Sequence, residues 1–212
     1  MYIPPQFNGK DRAVALDLMR SHAFASLIST DDEGLPFVTH LPLVIDARDE
    51  GATVSLLGHC AKPNPHWRYL AARPRALVTF LGPHAYLSPS VYPDLARVPS
   101  WNYLAVHCVV EARLIEAPAD KDALLKRLIA EHEPAYAAQW HALGEAFQHK
   151  MLAGIVGFEL AVVDLQCKLK LNQHRPESHA AMAAQYAGGT PDMQALAGWM
   201  QRLGMAGAPE NA

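Results

Sequence analysis

A chain of 212 residues, half of them apolar, is long enough for one domain or one and a half, and it can bury a core without help from metals or disulfides. Eighteen Lys and Arg against 21 Asp and Glu leave a formal charge of -3, so the whole-chain positive field of a dedicated nucleic-acid binder is missing, while a local basic site stays compatible with it. Three scattered cysteines, Cys60, Cys108 and Cys167, make no disulfide framework and suit a reducing compartment. Met1 to Phe7 holds two prolines and no basic stretch before an apolar run, and no segment approaches bilayer length, so the expectation is a cytoplasmic protein with no membrane partner.

Asn8-Gly9 is suited to open a helix over Lys10 to Ser21, with Val14, Leu18 and Ser21 on one face. Ala25 to Ser29 alternates, Asp31-Asp32-Glu33-Gly34 supplies turn chemistry, and Phe37 to Ile45 resumes an extended pattern, which together read as a hairpin. A polar turn over Asp46 to Gly51 leads into a strand at Thr53 to Gly58. Asn64-Pro65 is an N-cap and N1 pair for a short helix over His66 to Ala72, and Arg75 to Leu81 is again rich in β-formers.

Trp101 to Ile115 and Gly154 to Leu171 are the longest strand candidates. The stretch between them is helical: Asp120 to His132 places Leu124, Leu125, Leu128 and Ile129 at helical spacing, and Pro134 to Leu152 is broken at Gly144. Two further helices are expected at Pro176 to Ala187 and Pro191 to Leu203. Strands with hairpin-length turns, then helices, a strand and more helices favour an α+β fold built on an antiparallel barrel over alternating βαβ units.

Dinucleotide, P-loop, nucleophile-elbow and H-E-x-x-H patterns are all absent, and His59, His84 and His107 lack paired ligand spacing, so no metal site is expected. Three segments combine polar groups with extended backbone. In Thr39-His40-Leu41-Pro42 the proline withholds an N–H, which suits an edge or a bulge that can offer backbone groups to a flat heterocycle. In Gly58 to Trp67 a strand ends, Lys62 follows and a capped helix begins, the combination of cation and helix start that holds a phosphate; an ordinary capped helix beside an exposed lysine is the competing reading. In His84 to Tyr103 three tyrosines, a tryptophan and a histidine fall within 20 residues of a chain that is only 8% aromatic, a density suited to planar ligands or a subunit contact.

Across these segments the sequence resembles the PaiB-type family of FMN-binding negative transcriptional regulators. The resemblance is carried by Met1-Tyr2-Ile3-Pro4 with Phe7, Thr39 to Pro42, His59 to Trp67, Gly82 to Pro89 and Val98 to His107. It continues through His132-Glu133, Gly157-Phe158-Glu159 and Lys168 to Arg175. It implies a split β-barrel like that of pyridoxamine-phosphate oxidases, with residues 1–175 as the FMN-binding domain, a helical insert near 119–152, and 176–212 as a helical extension on the same domain. It further implies a homodimer with FMN at the subunit interface.

Position by position, the resemblance sets Thr39, His40, Leu41 and Pro42 along the flavin ring, and His59, Ala61, Lys62 and Asn64 about its phosphate, with Lys62 as the cation. The oxidase relatives carry Ser-Arg-Lys where this chain reads Cys60-Ala61-Lys62, so one cation is lost. Trp101 and Asn102 are expected near the site or the dimer contact. Lys170, Gln173 and Arg175 are expected to reach it from the partner chain.

Three functional readings stay open: a flavin-binding regulator, a flavin oxidoreductase whose catalytic residues the sequence does not name, and a barrel without flavin or related to haem-binding modules. DNA is a partner that charge does not support. From Lys168 onward four basic residues face three acids, and Met193, Leu196, Ala197, Trp199 and Met200 suit packing rather than a major groove.

Overall fold

The computed structural model describes residues 1–48, 53–94 and 96–205. Seven strands form one sheet, and seven α-helices are distributed along the described chain. Helix α1 (Arg12–Ser21) begins two residues after Lys10 and buries Ala15, Leu16, Leu18 and Met19; of the expected face only Leu18 is buried, Val14 being half-buried and Ser21 exposed. It leads into the hairpin β1 (Phe24–Thr30) and β2 (Pro36–Pro42), paired antiparallel from Phe24 opposite Pro42 to Thr30 opposite Pro36. Gly34 at φ 83° makes the turn that only a residue without Cβ adopts freely, and Asp31 Oδ1 accepts the Glu33 and Leu35 N–H groups.

The extended run after the turn is not one strand. β2 ends at Pro42, and β3 (Val44–Arg48) pairs instead with β4 (Thr53–Ala61), so the two stand at opposite ends of the order β2-β1-β5-β6-β7-β4-β3. Between them the buried Leu43 donates its N–H to the Ala23 carbonyl, which fixes the crossing. Asp46 to Arg48 therefore belong to β3 rather than to a turn, and the remainder of the expected turn, 49–51, lies outside the described residues, as do positions 206–212 of the expected C-terminal extension.

Helix α2 (His66–Ala72) precedes β5 (Arg75–Leu87), which continues well past Leu81 through Gly82-Pro83. β6 (Ser100–Ile115) and β7 (Ile155–Lys170) are the long strands. They flank α3 (Pro118–His132), α4 (Tyr136–Ala142) and α5 (Glu145–Ala153), with Gly144 at the expected break. Helices α6 (His179–Ala187) and α7 (Pro191–Arg202) close the described chain; Thr190 Oγ1 accepts the Met193 N–H at the start of α7. The fold is the α+β, antiparallel split-barrel class the sequence implied. No helix among the described residues is long and apolar enough to cross a membrane.

The chain groups into two compact units. One comprises Met1–Asp11, Leu81–Val106 and the chain from Gln166 onward, and its core includes Leu104, Leu171, Met182, Tyr186, Leu196 and Met200. The other comprises Arg12–Phe80 and His107–Leu165, where Val44 and Leu57 of β3 and β4 pack with Ile115 of β6 and Leu124 and Leu128 of α3. That cluster gives the leucine stripe of α3 its burial, which favours the helix more than its local propensity does.

Candidate functional site

The alternation of β2 decides what each of its side chains can do. Phe37, Thr39 and Leu41 share one face, the first two half-buried and Leu41 buried, while Val38, His40 and Pro42 project to the exposed face. Thr39 and His40 thus stand on opposite sides of an end strand. His40 Nδ1 meets Ser26 Oγ at 3.0 Å on the neighbouring strand, and Leu41 is core.

Thr39 is tied to the segment after β4. Asn64 Nδ2 donates to Thr39 Oγ1 at 3.1 Å, while Asn64 Oδ1 accepts the His66 N–H at 3.0 Å, the capping role that the Asn-Pro pair foretold. Thr39 Oγ1 also shares a hydrogen bond with His66 Nδ1, 2.7 Å away. His66 Nε2 is buried with no hydrogen-bond partner among the described residues. Phe37 meets the His66 and Tyr69 rings edge-on at 5.2 Å each. Burial drives the His66 pKa down to about 4, so this imidazole is neutral at ordinary pH. His59, on β4 opposite Gly157, is also shifted down by burial, and its Nδ1 lacks a partner among the described residues.

Lys62 follows β4 with its backbone held at both ends: its N–H donates to the Gly154 carbonyl at 2.8 Å, and its carbonyl accepts Trp67 Nε1–H at 3.0 Å. Its ammonium is exposed and makes no hydrogen bond or ion pair among the described residues. Lys62 and Trp67 line a hollow of about 220 Å³ with Leu114, Ile115, Glu116, Lys121, Ile155 and Val156. Sequence reasoning missed Lys121 here; it comes from α3, some 60 positions downstream, and no local pattern marks it. Its ammonium donates to the Leu152 and Ile155 carbonyls at 3.3 and 3.0 Å. Ala61 is exposed and leaves its side of the loop without a cation.

The other unit holds the late basic residues. Lys170 Nζ donates to Ser100 Oγ and to the Trp101 carbonyl, each at 2.7 Å. Burial, then the neighbouring charge of Lys168, lowers its pKa. Trp101, 47% exposed, donates Nε1–H to His84 Nδ1 at 3.2 Å and meets the equally exposed Tyr86 edge-on. Asn102 is buried, and its amide donates to Tyr186 Oη at 3.0 Å and lies 3.1 Å from Met182 Sδ, so this polar group anchors α6. Burial raises the Tyr186 phenol to about 12. Gln173 folds back on the end of β7, accepting the Leu171 N–H and donating to the Leu169 carbonyl. Arg175 lies 4.0 Å from Glu177.

Residues 1–164 match the family described as "Putative FMN-binding domain". The chain is 36% identical over 183 residues, covering 84% of each sequence, to the "Protease synthase and sporulation protein PAI 2" of Bacillus subtilis (strain 168). This chain belongs to the PaiB-type FMN-binding family. Among solved structures it is similar in fold to the FAD and haem binding protein of Mycobacterium smegmatis, at TM-score 0.57 and 21% identity over 77% of this chain and 73% of that one. It is likewise similar to the flavocytochrome Anf3 of Azotobacter vinelandii, at TM-score 0.56 and 18% identity over 76% and 68%.

FMN is the family's cofactor, and the chain has features that fit it. A phosphate monoester needs a cation without a carboxylate partner, and Lys62 is one; a flat ring needs free backbone edges, and β2 ends the sheet. The hollow beside Lys62 lies below the range of about 300–1,000 Å³ usual for whole small-molecule ligands, which suits one end of FMN rather than all of it. Among the described residues no group of three His, Cys, Asp or Glu stands together in a way that would hold a metal ion.

Proposed function

We propose that this protein is a cytoplasmic, homodimeric FMN-binding regulator that lowers transcription, with Lys62 holding the phosphate and Thr39 and Asn64 framing the loop beneath it. The reading is carried by one observation: the Lys62 ammonium is free while everything around it, Asn64, Trp67 and its own backbone, is fixed. Such a preorganised loop loses little freedom on binding. His40, Leu41 and Pro42 would lend backbone to the ring, with His59 and Ala61 beside the phosphate loop. Trp101, Asn102, Lys170, Gln173 and Arg175 would approach from the partner, within a barrel domain of residues 1–175 extended by 176–212. The exposed Tyr86 and Trp101 support a subunit contact of this kind.

When bound, FMN supplies hydride or electron chemistry; the chain's part is to hold and orient it. The relative's name, which refers to protease synthesis and sporulation, supports a role in gene expression. A direct DNA-reading helix is not what α7 offers, because Leu196, Ala197, Trp199 and Met200 are buried. Regulation is therefore assigned to a composite surface of the dimer.

The test is the visible spectrum of the purified chain after FMN is added and unbound ligand removed, followed by titration of Lys62→Ala. About one flavin per subunit is expected. The variant is expected to bind FMN more than about tenfold more weakly, or about 1.4 kcal/mol, for loss of a charge-assisted phosphate contact. Unchanged affinity in the variant removes Lys62 from the site.

A further inference from the structure

From Gly51 to Pro93 the sequence holds no Asp or Glu, so all 21 acids lie elsewhere, while Lys62, Arg68, Arg73 and Arg75 fall within it. The formal charge of -3 hides this segregation, because it averages over the whole chain. Lys62 is left to the flavin loop. The three arginines belong to α2, to the residue that ends it and to the first residue of β5.

Their surroundings differ from those of Arg48, Arg97, Arg113 and Arg127, each of which lies against a carboxylate. Arg68 and Arg75 are exposed, and neither forms an ion pair or a side-chain hydrogen bond among the described residues. Arg68 is nonetheless held in place: its guanidinium lies over the Trp67 ring at 5.2 Å, and that indole is fixed by its bond to the Lys62 carbonyl. Arg73 donates to the Thr30 carbonyl at 3.1 Å and to Asp32 at 2.9 Å, and lies 6.0 Å from the centre of the Tyr69 ring. The exposed residues between Arg68 and Arg75 are Ala71, Ala72 and Pro74, whose short neutral side chains leave both guanidinium groups open to a large anion.

Two exposed guanidinium groups without counter-charge attract a single small anion only weakly. A ligand that carries phosphates in a row engages both at once and releases the counterions condensed along it. We propose that this α2 surface, with Arg68 and Arg75 as its contacts and Arg73 between them, is where the protein meets the phosphate backbone of double-stranded DNA. The proposal rests on the regulatory reading and gives the surface that each subunit brings to it. Phosphate contacts fix position and carry no sequence information, so this surface supplies affinity rather than the choice of operator.

The test is fluorescence anisotropy of a labelled mixed-sequence DNA duplex titrated with the protein over a range of salt, with flavin content read from visible absorbance. Each phosphate contact adds about 0.9 to the slope of log affinity against log salt, which is about eightfold in affinity at 0.1 M relative to 1 M. Arg68→Gln and Arg75→Gln are each expected to bind roughly five- to tenfold more weakly at about 0.1 M salt and to flatten the slope by about 0.9 for each subunit that touches the duplex, with recovery in Arg68→Lys and Arg75→Lys. Arg113→Gln makes the same change in net charge at an arginine already matched by Glu159, and is expected to alter affinity less than about twofold. No duplex binding at low salt, wild-type affinity in the double variant, an equal loss in Arg113→Gln, or tighter binding of single-stranded RNA or of anionic lipid vesicles than of the duplex each overturns the proposal. Transcript levels separate it from the reading beneath it. If no transcript rises when the gene is deleted from its host, regulation falls whatever the duplex shows; if transcripts rise and both the wild type and the double variant lower them again, regulation stands and α2 is not its contact.

Discussion

Removing His66 tests the loop beside Lys62 through its effect on stability against pH. The imidazole is 1% exposed, and burial lowers its pKa from 6.5 to about 4. Between those values the unfolded chain binds a proton that the folded chain refuses, so stability is complete above pH 6.5 and falls as pH drops toward 4. At about 1.4 kcal/mol per unit the whole shift is worth about 3 kcal/mol, of which about 2 is lost between pH 7 and pH 5. Phe in its place cannot titrate and keeps the edge contact with Phe37, but removes the hydrogen bond to Thr39 Oγ1, at about 1 kcal/mol. His66→Phe is therefore expected to be the less stable protein at pH 7 and the more stable one at pH 5, read by urea unfolding at closely spaced pH values. His59, His107 and His174 are shifted the same way, and Asp46, Asp122 and Glu159 lose their contributions at lower pH, but these are common to both proteins and cancel in the difference. Parallel stability curves from pH 7 to pH 4 would refute the reasoning, since they require a His66 that is not buried neutral.

Gly58→Ala would set a Cβ 2.6 Å from Leu43 Cδ2, 3.0 Å from Leu41 Cδ1 and 3.1 Å from Phe158 Cε2, in a region where Leu43 and Phe158 are wholly buried. A loss of about 1–3 kcal/mol is expected, seen as a lower urea midpoint at unchanged slope, and an unchanged midpoint counts against the close packing at the end of β4. Burial raises the Cys60 thiol and lifts Cys167 to about 11, and all three cysteines are buried. The folded protein should therefore resist Ellman's reagent at pH 8, while the denatured chain releases three equivalents; rapid labelling of the folded form would contradict the burial.

Local chemistry was legible in the sequence. The Asn64-Pro65 pair starts α2, Gly144 separates α4 from α5, and the α3 leucines are core because capping and periodicity act over a few residues. What the sequence did not disclose depends on long-range pairing. Phe37 to Ile45 reads as continuous because both halves alternate; only the partners, β1 for one and β4 for the other, reveal the break at Leu43. Thr39 and Lys62 could be singled out by type and local context, yet the bonds that make Thr39 useful come from Asn64 and His66, more than 20 positions on. Lys121 carries no signature at all, since it comes to the hollow beside Lys62 only through the placement of α3.

Lys121 also bears on how the proposed phosphate loop manages with Ala61, where the resemblance to the oxidases implies an arginine. It lines the same hollow as Lys62 and adds positive charge there, but its ammonium already serves the Leu152 and Ile155 carbonyls at the junction of α5 and β7. Turning it toward a phosphate would leave those carbonyls short of a donor, at about 1–3 kcal/mol for each one that stays buried. That cost is comparable to what a charge-assisted contact returns, so on a phosphate bound here Lys121 would act through its field rather than by direct contact. In the proposed flavin site, direct neutralisation of the phosphate would then fall to Lys62, whose ammonium has no competing partner among the described residues. A phosphate held by Lys62 as proposed would depend on one side chain, and for that reason a single truncation at Lys62 is expected to be visible as lost flavin.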